Sequence, residues 1–136
     1  MFNMAKAGDT YTVTIETAHL KWGEHRYTDS RGIVYGEGYI KIPSKVAYNL
    51  KLMNNNGTGK KDVLGQNLFK CTSVDGKFSC ILRAQGDQAD DRFAKQFAGN
   101  KNLKAVGDWY YSIGAKEGDK VKVTWTSSTD VVIELI

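Results

Sequence analysis

The sequence predicts a mainly β fold with two short helices, and three of its features support this prediction. Short segments rich in β-forming residues alternate in polarity and are separated by turn residues along most of the chain. Only two segments repeat apolar residues at the spacing of an amphipathic helix. Two long polar stretches, 19–36 and 85–102, show neither pattern and are expected to be loops.

The first two predicted strands flank the first long loop. In 9–18, Tyr11, Val13 and Ile15 alternate with polar residues, mostly threonine, as in a strand with one buried face. Residues 37–42 combine a tyrosine with two isoleucines and are predicted to form the second strand.

A helix is predicted directly after the second strand. Pro43 ends that strand, and Ser44 is a suitable N-cap. Apolar residues then recur on one helical face, at Val46, Leu50 and Met53. The helix is expected to end at 54–57, Asn-Asn-Asn-Gly, since these residues tolerate left-handed geometry.

A hairpin around Asp75-Gly76 is the clearest local signal. Two β-rich segments, 69–74 and 77–83, flank this dipeptide, which favours a two-residue turn. The resulting register places Cys71 opposite Cys80, in a pair without backbone hydrogen bonds. We expect two reduced, buried cysteines, and a redox-active pair is the alternative.

The C-terminal part is predicted to contain the second helix and two strands. Asn102 is expected to cap the helix, Gly114 to end it, and its apolar face to comprise Leu103, Val106, Tyr110 and Ile113. Strands are predicted over 120–126 and 131–136. The whole chain is therefore expected to hold six or seven strands.

Composition indicates an ordinary globular protein. The 136 residues are 41% apolar and 25% charged, which fits one domain spanning 1–136, with 1–8 a candidate for disorder. We find neither a membrane-length apolar segment nor a secretion signal and expect a cytoplasmic protein. The net charge of +4 permits a polyanionic partner without requiring one.

Catalytic and metal-binding patterns are weak throughout. His19 and His25 are the only histidines, and we interpret both as exposed loop residues. Nuclease-like spacings occur at His19–Lys21 and Asp75–Lys77, but the first lacks its acidic residue and the second is explained by the turn. We therefore expect no catalytic residue, metal ion or cofactor.

The two polar stretches, taken together with the residues that flank them, carry the excess positive charge. Residues 19–45 hold five basic and three acidic side chains, and residues 83–104 hold the same numbers. The second stretch also holds Gln85, Gln88, Gln96, Asn100 and Asn102, and the first holds Ser30. Arg, Gln and Asn form bidentate hydrogen bonds to base edges, whereas Lys and Arg neutralise phosphates. This composition favours binding of nucleic acid.

Short motifs resemble the B3-like DNA-recognition domains of type II restriction endonucleases, whose fold plant B3 transcription-factor domains share. The first motif is 36–47, Gly-Glu-Gly-Tyr-Ile-Lys-Ile-Pro-Ser-Lys-Val-Ala. Others are 81–86, Ile-Leu-Arg-Ala-Gln-Gly, and 99–103, Gly-Asn-Lys-Asn-Leu, followed by a helix and Gly118-Asp119. The resemblance covers roughly residues 10–136 and implies a seven-stranded open β-pseudobarrel.

The resemblance also implies which residues contact DNA. Two loops would grip the major groove: an N-terminal arm after the first strand and a C-terminal arm at 85–102. The first would supply Lys21, Trp22, His25, Arg26, Ser30 and Arg31. The second would supply Gln85, Asp87, Gln88, Arg92, Lys95, Gln96, Asn100 and Lys101. Lys41 and Lys45 would contact the DNA backbone.

The function expected from these observations is sequence-specific binding of double-stranded DNA, without enzymatic activity. In restriction enzymes such a domain is fused to a nuclease, and this chain shows no nuclease motif, so a separate nuclease or effector subunit is a candidate partner. One alternative is a small β-barrel ribonuclease of the toxin type using His25, Arg26 or Arg31. Another is a protein-interaction module anchored by Trp22 and Tyr35.

Overall fold

Seven strands and two helices form the part of the chain that the computed structural model describes, which is residues 5–16, 19, 38–53, 63–86, 93–102 and 104–136. The strands are β1 (Thr10–Thr14), β2 (Ile40–Lys41), β3 (Leu68–Ser73), β4 (Ser79–Gln85), β5 (Gln96–Gly99), β6 (Lys120–Trp125) and β7 (Asp130–Leu135). The helices are α1 (Ser44–Leu50) and α2 (Ala105–Ser112).

All seven strands belong to one sheet that curls into an incomplete barrel. Their order is β1-β6-β7-β3-β4-β5-β2, and only β3 and β7 are parallel. The two edge strands meet where the Tyr11 hydroxyl donates a hydrogen bond of 3.1 Å to the Lys41 carbonyl oxygen. The predicted mainly β, seven-stranded open pseudobarrel is therefore confirmed, with its open seam between β1 and β2.

An aromatic cluster fills the barrel interior. Phe69 packs edge-to-face against both Phe97 and Trp125, with ring centroids 5.7 and 5.8 Å apart. Tyr11 reaches Trp125 from the edge strand, at 6.1 Å. These residues come from β1, β3, β5 and β6, so one contact network joins strands from both halves of the sheet.

Helix α2 is attached to one end of the barrel by two side-chain hydrogen bonds. Trp109 Nε1 donates to Asp75 Oδ2 in the β3–β4 turn, at 3.1 Å, and the Tyr110 hydroxyl donates to the Tyr39 carbonyl oxygen, at 3.0 Å. Gly38 allows close packing here, because a Cβ on it would lie 2.9 Å from the Gly107 Cα. The helix thereby fixes the segment that leads into β2.

Helix α1 ends earlier than predicted. Its C-cap is Lys51, which adopts a left-handed conformation with φ 53°, and no side chain caps its N-terminus, where Pro43 precedes Ser44. The earlier end lets Met53 form a β-bridge to Phe93 instead of joining the helical face. The Asn-rich segment expected to end the helix lies outside the described residues.

Strand β5 lies inside a stretch predicted to be loop. Its four residues, Gln96–Gly99, pair with β4 on one side and β2 on the other. A short strand with one aromatic residue and a terminal glycine gives almost no alternation signal, and only pairing on both sides identifies it. The C-terminal arm is therefore restricted to the β4–β5 connection, 86–95.

The β3–β4 hairpin has the predicted register but a different turn. Cys71 lies opposite Cys80, as expected, and both are free. However, Ser73 N donates to the Phe78 carbonyl oxygen at 3.0 Å, so the turn comprises four residues, 74–77. Because hydrogen-bonded and non-hydrogen-bonded pairs alternate, the cysteines fall in a hydrogen-bonded pair, and the predicted pair type was wrong.

Residues at the start of the described chain are buried or hydrogen-bonded. Within the segment regarded as a candidate for disorder, Ala5 is only 1% exposed, and Lys6 N donates to Asp9 Oδ2 at 2.9 Å. Neither α1 nor α2, the helices of the described residues, is long and apolar enough to cross a membrane.

Candidate nucleic-acid interface

The described residues that flank the predicted N-terminal arm follow β1 and precede β2. Tyr39 N donates to the His19 carbonyl oxygen at 3.1 Å and closes the base of the arm. The His19 ring packs edge-on against Tyr39, with centroids 4.9 Å apart. We call Glu16, His19 and Tyr39 the N-arm stem.

His19 is a buried structural residue, which corrects the prediction that it is exposed. Its side chain is almost fully buried, and its Nδ1 accepts a 3.1 Å hydrogen bond from Glu16 N. Nδ1 must therefore be unprotonated, and Nε2 lies 3.6 Å from Glu16 Oε2. Burial lowers the pKa of His19, and nearby Lys41 also lowers it, whereas Glu16 acts in the opposite direction. The loop position gave no sign that the chain folds back over this ring.

We expect acidification between pH 7.5 and 5 to lower the free energy of unfolding through His19. Its folded-state pKa lies below its unfolded value of about 6.5, so the unfolded state binds the proton more readily as the pH falls. His19→Asn keeps an acceptor near Nδ1 but does not titrate, so its pH dependence should be shallower. Urea denaturation across this range measures both proteins, and identical slopes would contradict the assignment.

The described residues that flank the predicted C-terminal arm are held together at the ends of three strands. Lys95 N donates to the Gln85 carbonyl oxygen at 2.7 Å, and Ile42 N donates to the Lys95 carbonyl oxygen at 2.9 Å. Ala94 N donates to the Leu52 carbonyl oxygen at 2.8 Å, which ties the returning chain to the end of α1. We call Gln85 and 93–95 the C-arm stem.

A row of polar side chains crosses the outer face of β2, β5 and β4. The register places Lys41 opposite Gln96, and Gln96 opposite Gln85. Their sequence neighbours Ile40 and Phe97 are fully buried, so the row faces outward. The sheet thereby brings together one cation and two amides that are far apart in sequence. We call Lys41, Gln96 and Gln85 the polar row.

Two adjoining grooves border the polar row. One, of about 580 Å³, follows the seam between β1 and β2 and is lined by Lys41 and Lys95, with Glu16 as its acidic residue. The other, of about 410 Å³, lies between α1 and the C-arm stem and contains Lys45 and Lys95. Lys41, Lys45 and Lys95 are all exposed, so three cations project around one surface.

Asn100 and Lys101 lie at the opposite end of β5 from the C-arm stem. They belong to the turn that leads into α2, where Asn100 N donates to the Ile81 carbonyl oxygen at 2.8 Å. Lys101 has a positive φ of 60°. The sequence analysis assigns both residues to the C-terminal arm because it predicts no strand between that arm and Asn100.

The remaining predicted contact residues lie outside the described part of the chain: Lys21, Trp22, His25, Arg26, Ser30, Arg31, Asp87, Gln88 and Arg92. The structure thus brings together Lys41, Lys45, Gln85, Lys95 and Gln96, and separates Asn100 and Lys101 from them. Sequence reasoning missed Tyr48 and Lys51, which flank the C-arm stem. Their three-residue spacing, from α1 to its C-cap, was the available signal.

Comparison with known proteins identifies similar folds. The N-terminal domain of Helicobacter pylori LlaJI.R1 is 11% identical, with a TM-score of 0.51 over 94% of this chain and 87% of that chain. The Arabidopsis FUS3–DNA complex is also 11% identical, with a TM-score of 0.52 over 92% of this chain and 93% of that one. No family model and no curated protein matches the chain.

These similarities agree with the resemblance stated from the sequence motifs. Both structures have the B3-like fold, and the second is a complex with DNA. At this low identity they show the fold, which is B3-like. Contacts of individual residues have to be argued from this chain's own surface.

Proposed function

We propose that this protein binds double-stranded DNA in a sequence-specific manner, with the polar row at the centre and an arm on each side. The observation that carries the proposal is the position of the two stems. Each adjoins one end of β2, since Tyr39 precedes this strand and Ile42 bonds to Lys95 beyond it. The arms therefore start on either side of one outward-facing polar surface.

The dimensions of this surface suit a DNA groove. The three strands of the polar row lie about 4.8 Å apart, so the row is roughly 10 Å long. The major groove of B-DNA is about 12 Å wide. Two amides at its centre supply donors and acceptors for base edges, and the surrounding lysines supply phosphate contacts.

We extend the proposal to the predicted DNA-contact residues that lie outside the described part of the chain. Lys21, Trp22, His25, Arg26, Ser30 and Arg31 would act from the N-terminal arm, and Asp87, Gln88 and Arg92 from the C-terminal arm. We propose no catalytic residue, metal or cofactor for the protein. We also propose that it is located in the cytoplasm. The Arabidopsis FUS3–DNA complex, which has a similar fold, supports DNA binding. We further propose that a separate nuclease or effector subunit is a partner, as part of a restriction-modification system.

Selection of duplexes from a random pool tests the proposal. We expect one enriched motif that binds at least 1000-fold more tightly than scrambled duplex at physiological salt. Equal binding of selected and scrambled duplexes would contradict sequence-specific recognition. Incubation with RNA and with DNA, with and without EDTA, would reveal the ribonuclease alternative. A pull-down that survives nuclease treatment would instead support the protein-interaction alternative.

Two substitutions should separate base reading from phosphate binding. Gln96→Ala is expected to weaken binding to the selected site by about 1–3 kcal/mol and leave scrambled duplex unaffected. Lys45→Ala should weaken both and reduce the slope of log K against log salt by about 0.9. Fluorescence anisotropy from 50 to 300 mM salt measures these changes.

Lys70→Ala is the matched control for the lysine substitution. Lys70 is exposed on β3, roughly opposite β2 around the barrel. Its removal takes away one positive charge at a distance from the proposed surface. We therefore expect little change in the salt slope, and an effect equal to that of Lys45→Ala would contradict the assigned surface.

A further inference from the structure

Three side chains join the end of α1 to the segment 93–95 that leads into β5. Tyr48 and Phe93 pack edge-to-face, with ring centroids 5.5 Å apart. Lys51 Nζ lies 4.2 Å from the centroid of Tyr48 and 5.7 Å from that of Phe93. Both distances are within the range of a cation–π interaction. We call Tyr48, Lys51 and Phe93 the aromatic clamp.

The backbone conformation of Lys51 supports a specific role for this residue. Its φ of 53° is left-handed, which is unfavourable for residues other than glycine. This geometry lets Leu52 N donate to the Ala47 carbonyl oxygen at 3.0 Å and turns the chain toward Phe93. A glycine would satisfy the turn but would leave both rings without a cation.

The clamp is continuous with the C-arm stem. Met53 forms a β-bridge to Phe93, and Ala94 N donates to the Leu52 carbonyl oxygen at 2.8 Å. Lys95 then bonds through its backbone to Gln85 and to Ile42. The position of α1 therefore determines, through residues 93–95, where the chain enters β5 beside β4 and the polar row.

We propose that the aromatic clamp positions the C-arm stem, and with it Gln85 and Gln96 of the polar row, for base reading, and that Lys51 and Tyr48 are positioning residues without DNA contacts of their own. This inference rests on the proposed function. A surface that reads bases must hold its side chains within narrow limits, so a fixed stem reduces the ordering cost of binding. Nonspecific phosphate binding has no such requirement, and this difference makes the inference testable.

Lys51→Met tests the inference because methionine keeps an unbranched apolar side chain but removes the cation. We expect binding to the selected site to weaken about fivefold to tenfold, with binding to scrambled duplex and the salt slope unchanged. Lys51→Arg should restore specific binding, since a guanidinium also binds aromatic faces. Lys45→Met, in the first turn of α1, is the matched control and should reduce the salt slope.

Hydrogen exchange in the free protein separates this inference from the proposed function. We expect faster amide exchange at Ala94 and Lys95 in Lys51→Met than in the parent, with no DNA present. Unchanged exchange would overturn the inference even if the parent binds DNA. Faster exchange with unchanged specificity would also overturn it, as would a reduced salt slope, which would make Lys51 a phosphate contact. A parent protein without DNA binding would instead overturn the proposed function.

Discussion

Replacing Phe97 with alanine is expected to lower the free energy of unfolding by about 3–5 kcal/mol, the typical cost of truncating a buried aromatic residue. Phe97 is fully buried and packs against Phe69 at 5.7 Å and Trp125 at 6.4 Å. Its strand pairs on both sides, opposite Ile40 and Ala84, so neighbouring side chains cannot easily collapse into the space. The cavity would therefore persist next to Gln96.

Chemical denaturation monitored by tryptophan fluorescence measures this loss. Phe97→Leu is the control, because it keeps most of the buried volume and should cost roughly 1–2 kcal/mol. A loss below about 1 kcal/mol for Phe97→Ala would show that β5 is not anchored through the aromatic cluster. The DNA affinity of Phe97→Ala should fall as well, since the strand that carries Gln96 loses its support.

Gly99→Ala is expected to destabilise the protein by about 3 kcal/mol, at the upper end of the cost of overpacking. A Cβ at this position would press against the carbonyl oxygen of Asn102 and lie 2.6 Å from the Cβ of Ala105. Asn102 lies in the turn after β5 and Ala105 is the first residue of α2, and neither group is the end of a mobile side chain. The turn or the helix would have to shift.

Gly76→Ala provides the matched control for Gly99→Ala. Gly76 has a φ of 77°, but an added Cβ would meet nothing within 4 Å. Its substitution should therefore cost only the backbone strain, about 1–2 kcal/mol. Thermal or urea unfolding of both variants measures the difference. A smaller loss for Gly99→Ala than for Gly76→Ala would contradict the close packing of α2 on β5.

Phe97 and Gly99 both lie on β5, the strand that the sequence analysis did not predict. The predicted β3, β4, β6 and β7 are confirmed to within two residues at each end, since alternating β-forming residues specify these strands locally. The predicted strands 9–18 and 37–42 are confirmed in position but are shorter, at Thr10–Thr14 and Ile40–Lys41. β5 has no such local signal: its four residues form a strand because β4 and β2 supply hydrogen bonds on both sides. A contact between distant segments of the chain cannot be inferred from the composition of either one.

The candidate interface, like the fold, was predicted only in part from the sequence. Motifs and charge distribution pointed to two cationic stretches and to DNA, and the B3-like fold of the chain agrees with that expectation. Sequence alone could not align Lys41, Gln96 and Gln85 in one row, because the register of β2, β5 and β4 fixes that alignment.

The sequence by itself determined the β-rich class, the two helices and the register of the Cys71–Cys80 pair, since each follows from residues close together in the chain. Only the tertiary structure decided that His19 is buried and that Asn100 and Lys101 lie away from the C-arm stem. It also decided that Lys51 lies over Tyr48 and Phe93. These features depend on packing between segments far apart in sequence, where the free energy of burial and hydrogen bonding outweighs local preference.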